Sequence, residues 1–511
     1  MKKTLLLTAL MAVALPTMAA QKAPKFEKSI ESLKQYECPE WFRDAKFGIW
    51  AHWGPQSVPM QGDWYARAMY EQHYSNKNKA HVYGYHLENY GHPSEFGFKD
   101  IIPLWKAEKF DPEALMKLYK AAGAKYFVSI ATHHDNFDLW DSKFTRWDAV
   151  EMGPERDIVG DWQAAAKKEG LYFGVSEHLS AGYSWWQASK KSDVDGEYAG
   201  KPYDGVNPRN WDLYYDTTTT KYNPWTTENG MFAQLWLARM TDLLESYKPD
   251  LVYSDGALPF GPYGEQMLAE FYNGNIEKNR GSLEAVYLAK PARHAKGWAL
   301  FDPEICVEDR ERGSLTAIGE RPWQTDTSIG DWFYNKRYVN PDTGTMYRSP
   351  YWVLTTLVDV VSKNGNMLLN VIQRPDGTID QEVVELLGEL AQWMEINGES
   401  IFSTRPWRVF GEGVQQREGK SDWAEDFHYT AQDIRYTRDK RDRVLYATVM
   451  AMPEGDITMR EVAAVGREIK SVTLLGSKQK IEWEMNGAGL LIKSPDTSSS
   501  KILPVFKITW K

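Results

Sequence analysis

The feature that most constrains the fold is a repeated unit in which a short apolar run precedes a helical pattern. Runs such as FGIWAH, YFVSIATHH, LYFGVSEHLS, LVYSDG and EAVYLAK recur between residues 40 and 400. Amphipathic segments that begin at Asp111, Asp161 and Phe232 separate them, and the first two end in glycine-containing turns typical of helix C-termini. Strands joined through helices pair in parallel, and a region of this length favours an eight-fold barrel. We therefore predict a TIM-like (β/α) barrel over residues 21–402.

The last hundred residues follow a different pattern. Short alternating runs, RVLYATVMAM, SVTLLG, KIEWEMN, GLLIKS and VFKITW, replace the helical periods. Alternation of apolar and polar residues is typical of strands with one buried face. We predict a small antiparallel β-sandwich domain over residues 403–511. Residues 72–100 and 181–230 are rich in Tyr, Asn, Gly and Pro, and we expect them to form long loops over one face of the barrel.

The N-terminal segment has the pattern of a secretory signal peptide. Lys2 and Lys3 precede an apolar run from Leu5 to Leu15, and small residues follow around Ala19. The run is too short to span a membrane. We expect residues 1–20 to be removed and the mature protein to be exported, either to the periplasm or as a secreted protein, without insertion into a membrane.

Charge and cysteine content exclude several classes of protein. The chain has 60 basic and 70 acidic side chains, so without the two lysines of the signal peptide its net charge is −12. Such a surface repels nucleic acid and anionic membranes, and neither is expected as a partner. Two cysteines, Cys38 and Cys306, cannot form a disulfide framework. The sequence leaves open whether the two form a single disulfide bridge or remain a pair of buried thiols.

Polar residues stand where several of the apolar runs end. His52 ends the first run, His133 and His134 end the second, and Glu177 and His178 end the third. In a (β/α) barrel the C-terminal ends of the strands meet at one rim, where catalytic groups lie. The pattern therefore predicts a shared, histidine-lined pocket. The 22 Trp and 28 Tyr residues exceed the needs of a core, and their flat faces suit the C–H faces of a sugar.

Carboxylates complete the predicted site. Asp255 ends the fourth strand, PDLVYSDG, where a structural role explains it poorly. The segment ICVEDRERG begins as an apolar strand and offers Glu308, Asp309 and Glu311, one of which could face Asp255. Two carboxylates across a sugar pocket are the minimum for glycoside hydrolysis, and their separation decides between retention and inversion. A glycosidase is therefore favoured.

Several motifs together resemble a known family. KFGIWAHWGPQSVP followed by GDWYARAMY is similar to the opening of the α-L-fucosidases of glycoside hydrolase family 29. FDPEALMKLYKAAGAKYFVSIATHHDNFDLWDSK and RDIVGDWQAAAKKEGLYFGV resemble its second and third signatures, and PDLVYSDG and SKNGNMLLNV resemble the nucleophile strand and the closing strand. The resemblance runs in order from about residue 38 to residue 400. The family pairs a barrel with a C-terminal β-sandwich.

The resemblance implies an exo-acting, retaining hydrolase that releases terminal α-L-fucose from glycans or glycoconjugates by double displacement. It makes Asp255 the nucleophile and requires neither a metal nor another cofactor. Glu311 aligns best as the acid/base, with Glu308 and Glu320 as alternatives. The residues expected to bind the sugar are His52, Asp63, Trp64, His133, His134 and His178.

The sequence departs from the family pattern at several positions. Asp63 stands in GDWY where a Glu is usual, and its carboxylate reaches less far. Glu177 and His178 follow the third strand where a Tyr is common. Gln324 occupies PWQT where many members have PWET. These changes bear on the exact sugar more than on the reaction.

Three alternatives remain open at this point. One is a glycosidase for a related sugar such as α-L-galactose, which adds a hydroxyl at C6. Another is a non-catalytic sugar-binding protein on a hydrolase barrel, although Asp255 and nearby glutamates are still present. The third is a zinc hydrolase, but the histidines lack the HxH and HExxH spacings of such enzymes.

Overall fold

The structure is a computed structural model that describes residues 24–217, 227–291, 298–340, 343–413 and 428–511. The predicted signal peptide lies outside the described residues. Within the part of the chain that the structure describes, no helix is both long and apolar enough to cross a bilayer.

Eight parallel strands close into a barrel in chain order, as predicted. The first strand pairs with both the second and the eighth, with Gly48 opposite Tyr126 on one side and Leu368 on the other. Gly48 is required there, because a Cβ atom would lie only 2.3 Å from the Tyr126 ring that fills the barrel interior. The strands are β1 (Phe47–Ala51), β2 (Tyr126–Thr132), β3 (Tyr172–Glu177), β4 (Leu251–Ser254), β5 (Val286–Ala289), β6 (Val307–Asp309), β7 (Trp323–Ser328) and β8 (Gly365–Asn370).

Helices cover the outside of the barrel, which makes nearly every strand residue buried. The β6–β7 connection, residues 310–322, is an exception because it contains no helix. The α-helices are α1 (Ile30–Leu33), α2 (Glu40–Ala45), α3 (Tyr65–Ala68), α4 (Val82–Asn89), α5 (Phe98–Ile101), α6 (Pro112–Ala121), α7 (Ile158–Glu169), α8 (Gly182–Trp185), α9 (Trp211–Tyr214), α10 (Gly230–Tyr247), α11 (Pro262–Lys278), α12 (Pro350–Ser362), α13 (Gln381–Asn397) and α14 (Arg460–Ala463).

Side-chain caps fix where the first two barrel helices begin. Asp111 accepts a hydrogen bond from the Ala114 amide at the start of α6. Asp157 does the same for the Gly160 amide, so α7 begins three residues before the Asp161 expected from the amphipathic pattern. The sequence pattern identified both helices, and the caps set their first turns.

The two segments expected to be long loops contain helices. Residues 72–100 include α4 and α5, and the described part of 181–230 includes α8 and α9. Buried hydrogen bonds between tyrosines and an aspartate hold them together, because Tyr83 of the first segment and Tyr203 of the second both donate to Asp193. The high Tyr content of these segments therefore reflects internal packing, which composition alone did not reveal.

The C-terminal region forms two antiparallel sheets around a core of its own, which confirms the predicted β-sandwich domain. One sheet has the order β13-β16-β11-β10-β9 and the other β12-β15-β14. The predicted division at residue 402, between the end of α13 and the start of β9, stays a prediction. The strands are β9 (Arg405–Glu412), β10 (Ile434–Arg438), β11 (Val444–Val449), β12 (Ile457–Met459), β13 (Ile469–Leu474), β14 (Trp483–Asn486), β15 (Gly489–Ile492) and β16 (Val505–Trp510).

The two cysteines are free thiols in the structure. Cys306 is buried and Cys38 is half-buried. Of the two possibilities left open by the sequence, the structure has the unbridged one.

Candidate active site

Four histidines from three strand ends meet at the C-terminal rim of the barrel. His52 follows β1, His133 and His134 follow β2, and His178 follows β3. The centroids of neighbouring rings are 4.5 to 5.3 Å apart, and all four side chains are buried. The parallel strands bring these rings together because residues that follow adjacent strands emerge at the same edge.

Asp255, directly after β4, lies against this cluster. His134 Nε2 is 3.2 Å and His178 Nδ1 is 3.3 Å from its Oδ2 atom. Its Oδ1 atom accepts a hydrogen bond from Lys290 Nζ over 2.6 Å. Burial alone would raise the pKa of Asp255, but the Lys290 ammonium and His178 outweigh it and hold that pKa well below 3.8. Asp255 is therefore a charged carboxylate at neutral pH.

Glu311 shares the same lysine. Lys290 Nζ donates to its Oε2 atom over 2.9 Å and to Asp255 Oδ1 over 2.6 Å, so these two oxygens are at most 5.5 Å apart. Retaining glycosidases hold their two carboxyl groups roughly 5–5.5 Å apart, whereas inverting enzymes need about 6.5–9.5 Å. The geometry therefore fits the retaining class.

The electrostatics of Glu311 depend on its two neighbours. The Lys290 ammonium holds the pKa of Glu311 below 4.5, although burial and the Asp255 charge oppose it. Sequence reasoning missed Lys290. The signal was present, since Lys290 is a polar residue at the end of the apolar run EAVYLAK, as the histidines are in theirs.

Glu308 and Glu320, the alternatives to Glu311, lie elsewhere. Successive side chains of a strand point to opposite faces, so Glu308 faces outward from β6 while Asp309 faces the barrel interior. Glu308 and Glu320 together line a separate cavity of about 410 Å³ on the outside of the barrel. Neither glutamate is placed to work with Asp255.

Models of known protein families match both the barrel and the C-terminal domain. A family model described as α-L-fucosidase matches residues 13–399, and one described as the α-L-fucosidase C-terminal domain matches residues 428–509. The chain belongs to the α-L-fucosidase family. This confirms the resemblance that the sequence motifs carried, and the paired carboxylates fit the glycoside hydrolysis for which the family is named.

Individual α-L-fucosidases match almost the whole chain. The tissue α-L-fucosidase of Bos taurus is 28% identical over 501 residues, which cover 96% of this chain and 91% of that protein. The tissue α-L-fucosidase of Homo sapiens is 27% identical over 515 residues, or 99% of this chain and 96% of that one. Two solved structures from Thermotoga maritima, an α-fucosidase and an α-L-fucosynthase in complex with α-L-Fuc-(1-2)-β-L-Fuc-N3, each superpose with a TM-score of 0.70 at 25% identity. Each comparison covers 95% of this chain and 100% of the other.

Asp63 and Trp64 extend the pocket of this family member beyond the strand ends. Asp63 Oδ1 lies 3.7 Å from His133 Nε2 and has no hydrogen-bond partner among the described residues. Burial raises the pKa of Asp63 to about 7. Trp64 has a left-handed backbone conformation, with φ of 61°, and its ring stands nearly perpendicular to the His134 ring at 5.9 Å. Strained backbone of this kind is common at ligand sites.

Three of the histidines, His52, His133 and His178, have nitrogens available for a ligand, and in His178 this is Nε2, which has no hydrogen-bond partner among the described residues. Neither nitrogen of His52 has a hydrogen-bond partner among the described residues. Gln56 Nε2 donates to His133 Nδ1 over 2.7 Å, so in the neutral ring the hydrogen is on Nε2, which points toward Asp63. Buried polar atoms normally find partners, and a sugar hydroxyl would supply them here.

Glu177 is not part of the pocket, although its neighbour His178 is. Its Oε1 atom accepts a hydrogen bond from Ser254 over 2.6 Å, and its Oε2 atom accepts one from Trp236 Nε1 over 3.2 Å. Because neighbouring strand residues point to opposite sides, only one of the two can face the sugar. Gln324 is also outside the pocket, in the barrel interior beside Asp309.

Aromatic residues after β7, which sequence reasoning missed, close one side of the pocket. The rings of Trp332 and Phe333 lie 5.4 and 4.9 Å from the His52 ring. The Arg312 guanidinium stacks over Trp332 at 4.8 Å from its centroid. The motif GDWFYN, which follows β7, was the available signal.

Two groups of side chains in the pocket could hold a metal ion. The ligand atoms of His133, His134 and His178 lie within 4.8 Å of one another, as do those of His52, Asp63 and His133. Burial lowers the pKa of His52 and His133 well below 6.5 and that of His178 to about 4. Neutral imidazoles can ligate a metal, and they can equally exchange hydrogen bonds with hydroxyl groups.

Proposed function

We propose that the protein releases terminal α-L-fucose from glycans or glycoconjugates with retention of anomeric configuration. Asp255 is the nucleophile and Glu311 the acid/base in this proposal. The observation that carries it is the single ammonium of Lys290, which contacts both carboxylates and limits their separation to a distance suited to retention.

In the first step, the charged Asp255 carboxylate attacks the anomeric carbon and forms a glycosyl ester. The bond between that carbon and the glycosidic oxygen breaks, and protonated Glu311 gives its proton to the departing oxygen. The low pKa of Asp255 suits a nucleophile, because the carboxylate is ionised throughout the neutral range.

In the second step, Glu311 acts as a base and takes a proton from the water that attacks the ester. In the free enzyme the Lys290 ammonium holds the pKa of Glu311 below its usual value, and the Asp255 charge opposes this effect. Ester formation removes that charge, so the pKa of Glu311 falls when a base is needed. Lys290 stays beside Glu311 and favours its ionised form.

The glycone is held by groups whose polar atoms converge on the pocket. His52 has two unpartnered nitrogens, and Asp63 has one unpartnered oxygen. The sugar hydroxyls would satisfy these atoms, which would otherwise cost free energy when buried. Trp64 offers an aromatic face beside the polar groups. The full set proposed to bind the sugar is His52, Asp63, Trp64, His133, His134 and His178.

The comparisons support the sugar and the position at which it is cut. The Thermotoga maritima fucosynthase is described in complex with a disaccharide whose terminal unit is α-linked L-fucose. The side chains at the strand ends are buried, and a site of this kind suits an exo-acting enzyme, which takes in a terminal residue. We further propose export to the periplasm or secretion, on the basis of the N-terminal sequence pattern.

The stereochemistry of the first-formed product tests the proposal. Nitrophenyl α-L-fucoside would be hydrolysed in an NMR tube and the anomeric proton followed before mutarotation. We expect α-L-fucose to appear first. Appearance of the β-anomer first would contradict the retaining mechanism, and faster hydrolysis of the matching α-L-galactoside would contradict the choice of sugar.

A further inference from the structure

Two carboxyl groups that the proposed mechanism does not use, Asp309 and Asp326, lie in the barrel interior near Lys290. Asp309 ends β6 and Asp326 lies on β7. Asp309 pairs with Gln324 in the β6–β7 register, and Asp326 is two residues further along β7 on the same face. Both side chains are completely buried, at 0% and 1% exposure. Two such groups cannot both be charged without strong repulsion.

The hydrogen bonds around the pair show which oxygens are left over. Gln324 Nε2 donates to Asp309 Oδ1 over 2.8 Å, and Tyr253 donates to Asp326 Oδ2 over 2.9 Å. The other oxygen of each group, Asp309 Oδ2 and Asp326 Oδ1, is buried without any donor among the described residues. Each carboxyl group affects the pKa of the other, and a proton on one of them would supply the donor that these two oxygens lack.

The surroundings of the two groups differ, and this decides where the proton lies. Lys290 Nζ is 3.9 Å from Asp326 Oδ2, which also accepts the tyrosine hydrogen bond, so two neighbours stabilise a charge on Asp326. Asp309 accepts a hydrogen bond from the neutral amide of Gln324, and among the described residues no ammonium lies within 4 Å of its oxygens, so Lys290 acts on it only from farther away. Burial, and then the charge of Asp326, raise the pKa of Asp309 well above 3.8.

We infer that Asp309 and Asp326 share a single proton, which Asp309 carries. The charge left on Asp326 then positions the Lys290 ammonium between the two catalytic carboxylates. Both aspartates are positioning residues, because neither contacts the sugar. This inference rests on the proposed roles of Asp255 and Glu311. The titratable groups facing the pair are Tyr126 on β2, Tyr253 on β4, Lys290 after β5 and Glu311 after β6.

This arrangement places three carboxylates around the ammonium group of Lys290. Lys290 contacts Asp255 and Glu311 directly and Asp326 at a longer distance. Without the Asp326 charge, the ammonium would act more strongly on Glu311. It would then lower the pKa of Glu311 further, and the acid would lose its proton at a lower pH.

Asparagine substitutions at the two positions should differ in how far they shift the pH dependence of activity. In Asp309→Asn, the new amide donates to Asp326 as the protonated carboxyl does, and its oxygen still accepts from Gln324. In Asp326→Asn, the charge beside Lys290 is removed. We expect the alkaline limb of kcat/KM to shift to lower pH by about half a unit or more for Asp326→Asn. The shift for Asp309→Asn should be much smaller.

Glu308→Gln is the matched control, since Glu308 is on the same strand but faces the outer cavity. We expect its pH profile to match that of the wild type. Equal limb positions in Asp326→Asn and wild type would overturn the inference, because a merely structural role would lower kcat without moving the limb. A larger shift for Asp309→Asn than for Asp326→Asn would overturn the placement of the proton.

Infrared spectroscopy provides a readout that does not depend on catalysis or on the folding of Asp326→Asn. Protein labelled with ¹³C-aspartate should show, in the difference spectrum between wild type and Asp309→Asn at neutral pH, a protonated carboxyl stretch that the variant lacks. The band of Asp63, whose pKa is about 7, is common to both proteins and cancels. If the difference spectrum contains no protonated carboxyl stretch, the pair does not hold its proton on Asp309 and the inference fails. Failure of the proposed function is separate, since loss of retention would leave this band unchanged.

Discussion

Two buried ionic networks in this protein differ in how their charges balance. At the junction between the barrel and the β-sandwich, Asp359 on α12 accepts hydrogen bonds from Arg435 Nε and from Lys363 Nζ, both over 2.7 Å. Ser314 donates to it as well, over 3.0 Å. At the active site, one cation, Lys290, serves several carboxylates instead.

The difference separates a structural network from a reactive one. Two cations hold the pKa of Asp359 at about 2 against the effect of burial, and each of its oxygens has a partner. In the pocket, polar atoms of His52 and Asp63 have no hydrogen-bond partner among the described residues. A network that is complete without a ligand contributes to the fold, whereas an incomplete one is arranged for a substrate.

The largest expected effect is on activity, from Asp255→Gly. We expect kcat to fall by on the order of 10³-fold or more, because the nucleophile is lost. Lys290 keeps Glu311 and Asp326 as partners, so the melting temperature should change little. Hydrolysis of nitrophenyl α-L-fucoside and thermal unfolding measure the two effects. Activity that survives this substitution would remove Asp255 from its role.

Glu311→Ala should reduce activity by about 10²–10⁴-fold, since it removes general acid–base catalysis. The loss should be smallest for substrates with good leaving groups, which need little protonation, and azide should restore activity by replacing water. Glu308→Ala serves as the matched glutamate control and should leave turnover close to that of the wild type. An equal loss on all substrates without azide rescue would contradict the assignment.

Asp359→Asn should act on stability rather than on chemistry. It leaves two buried cations without their counter-charge, which we expect to lower the free energy of unfolding by about 3–5 kcal/mol. The kcat of the folded variant should be unchanged. Urea unfolding and steady-state kinetics test both expectations. A loss of kcat without a loss of stability would contradict the structural role of the Asp359 network.

The pH dependence of the stability difference between wild type and Asp359→Asn tests the role of this charge further. The folded-state pKa of Asp359, about 2, is below the usual 3.8, so the charge stabilises the protein above about pH 4. That contribution, roughly 2 kcal/mol, is lost as the pH falls through 2. The gap between wild type and Asp359→Asn should therefore narrow below about pH 4. A constant gap would mean that the charge is not the source of the stability.

The smallest effects are expected from the pocket histidines. Each of His52→Ala, His133→Ala and His134→Ala should weaken fucose binding by about 1–3 kcal/mol, because a hydroxyl loses its partner. Fucose should raise the melting temperature of the wild type and not that of the triple variant. Equal protection of both proteins would show that the histidines do not hold the sugar.

Sequence reasoning found the barrel and most of the pocket, because strand ends carry a local signal. His52, His133 and Asp255 each follow an apolar run, and the fold brings such ends to one rim. Lys290 also ends an apolar run, EAVYLAK, but the sequence pattern predicts only a strand there. The orientation of Glu177 depends on the position of its strand to within one residue, which a sequence pattern does not determine.

The sequence alone does not predict which side chains meet between neighbouring strands. Asp309 and Asp326 lie on consecutive strands, and which of their neighbours face each other depends on the β6–β7 register. The choice between Glu308 and Glu311 likewise depends on where β6 ends. Long-range pairing sets both features, and no local pattern records it.

Labelling of the nucleophile tests the central claim most directly. A 2-fluoro fucosyl inhibitor with a good leaving group should trap the glycosyl-enzyme ester, because the fluorine slows its hydrolysis. Proteolysis and mass spectrometry would then locate the sugar. The account predicts that the label is on Asp255, within the peptide that contains PDLVYSDG. A label on any other residue, or inactivation without a covalent adduct, would contradict it.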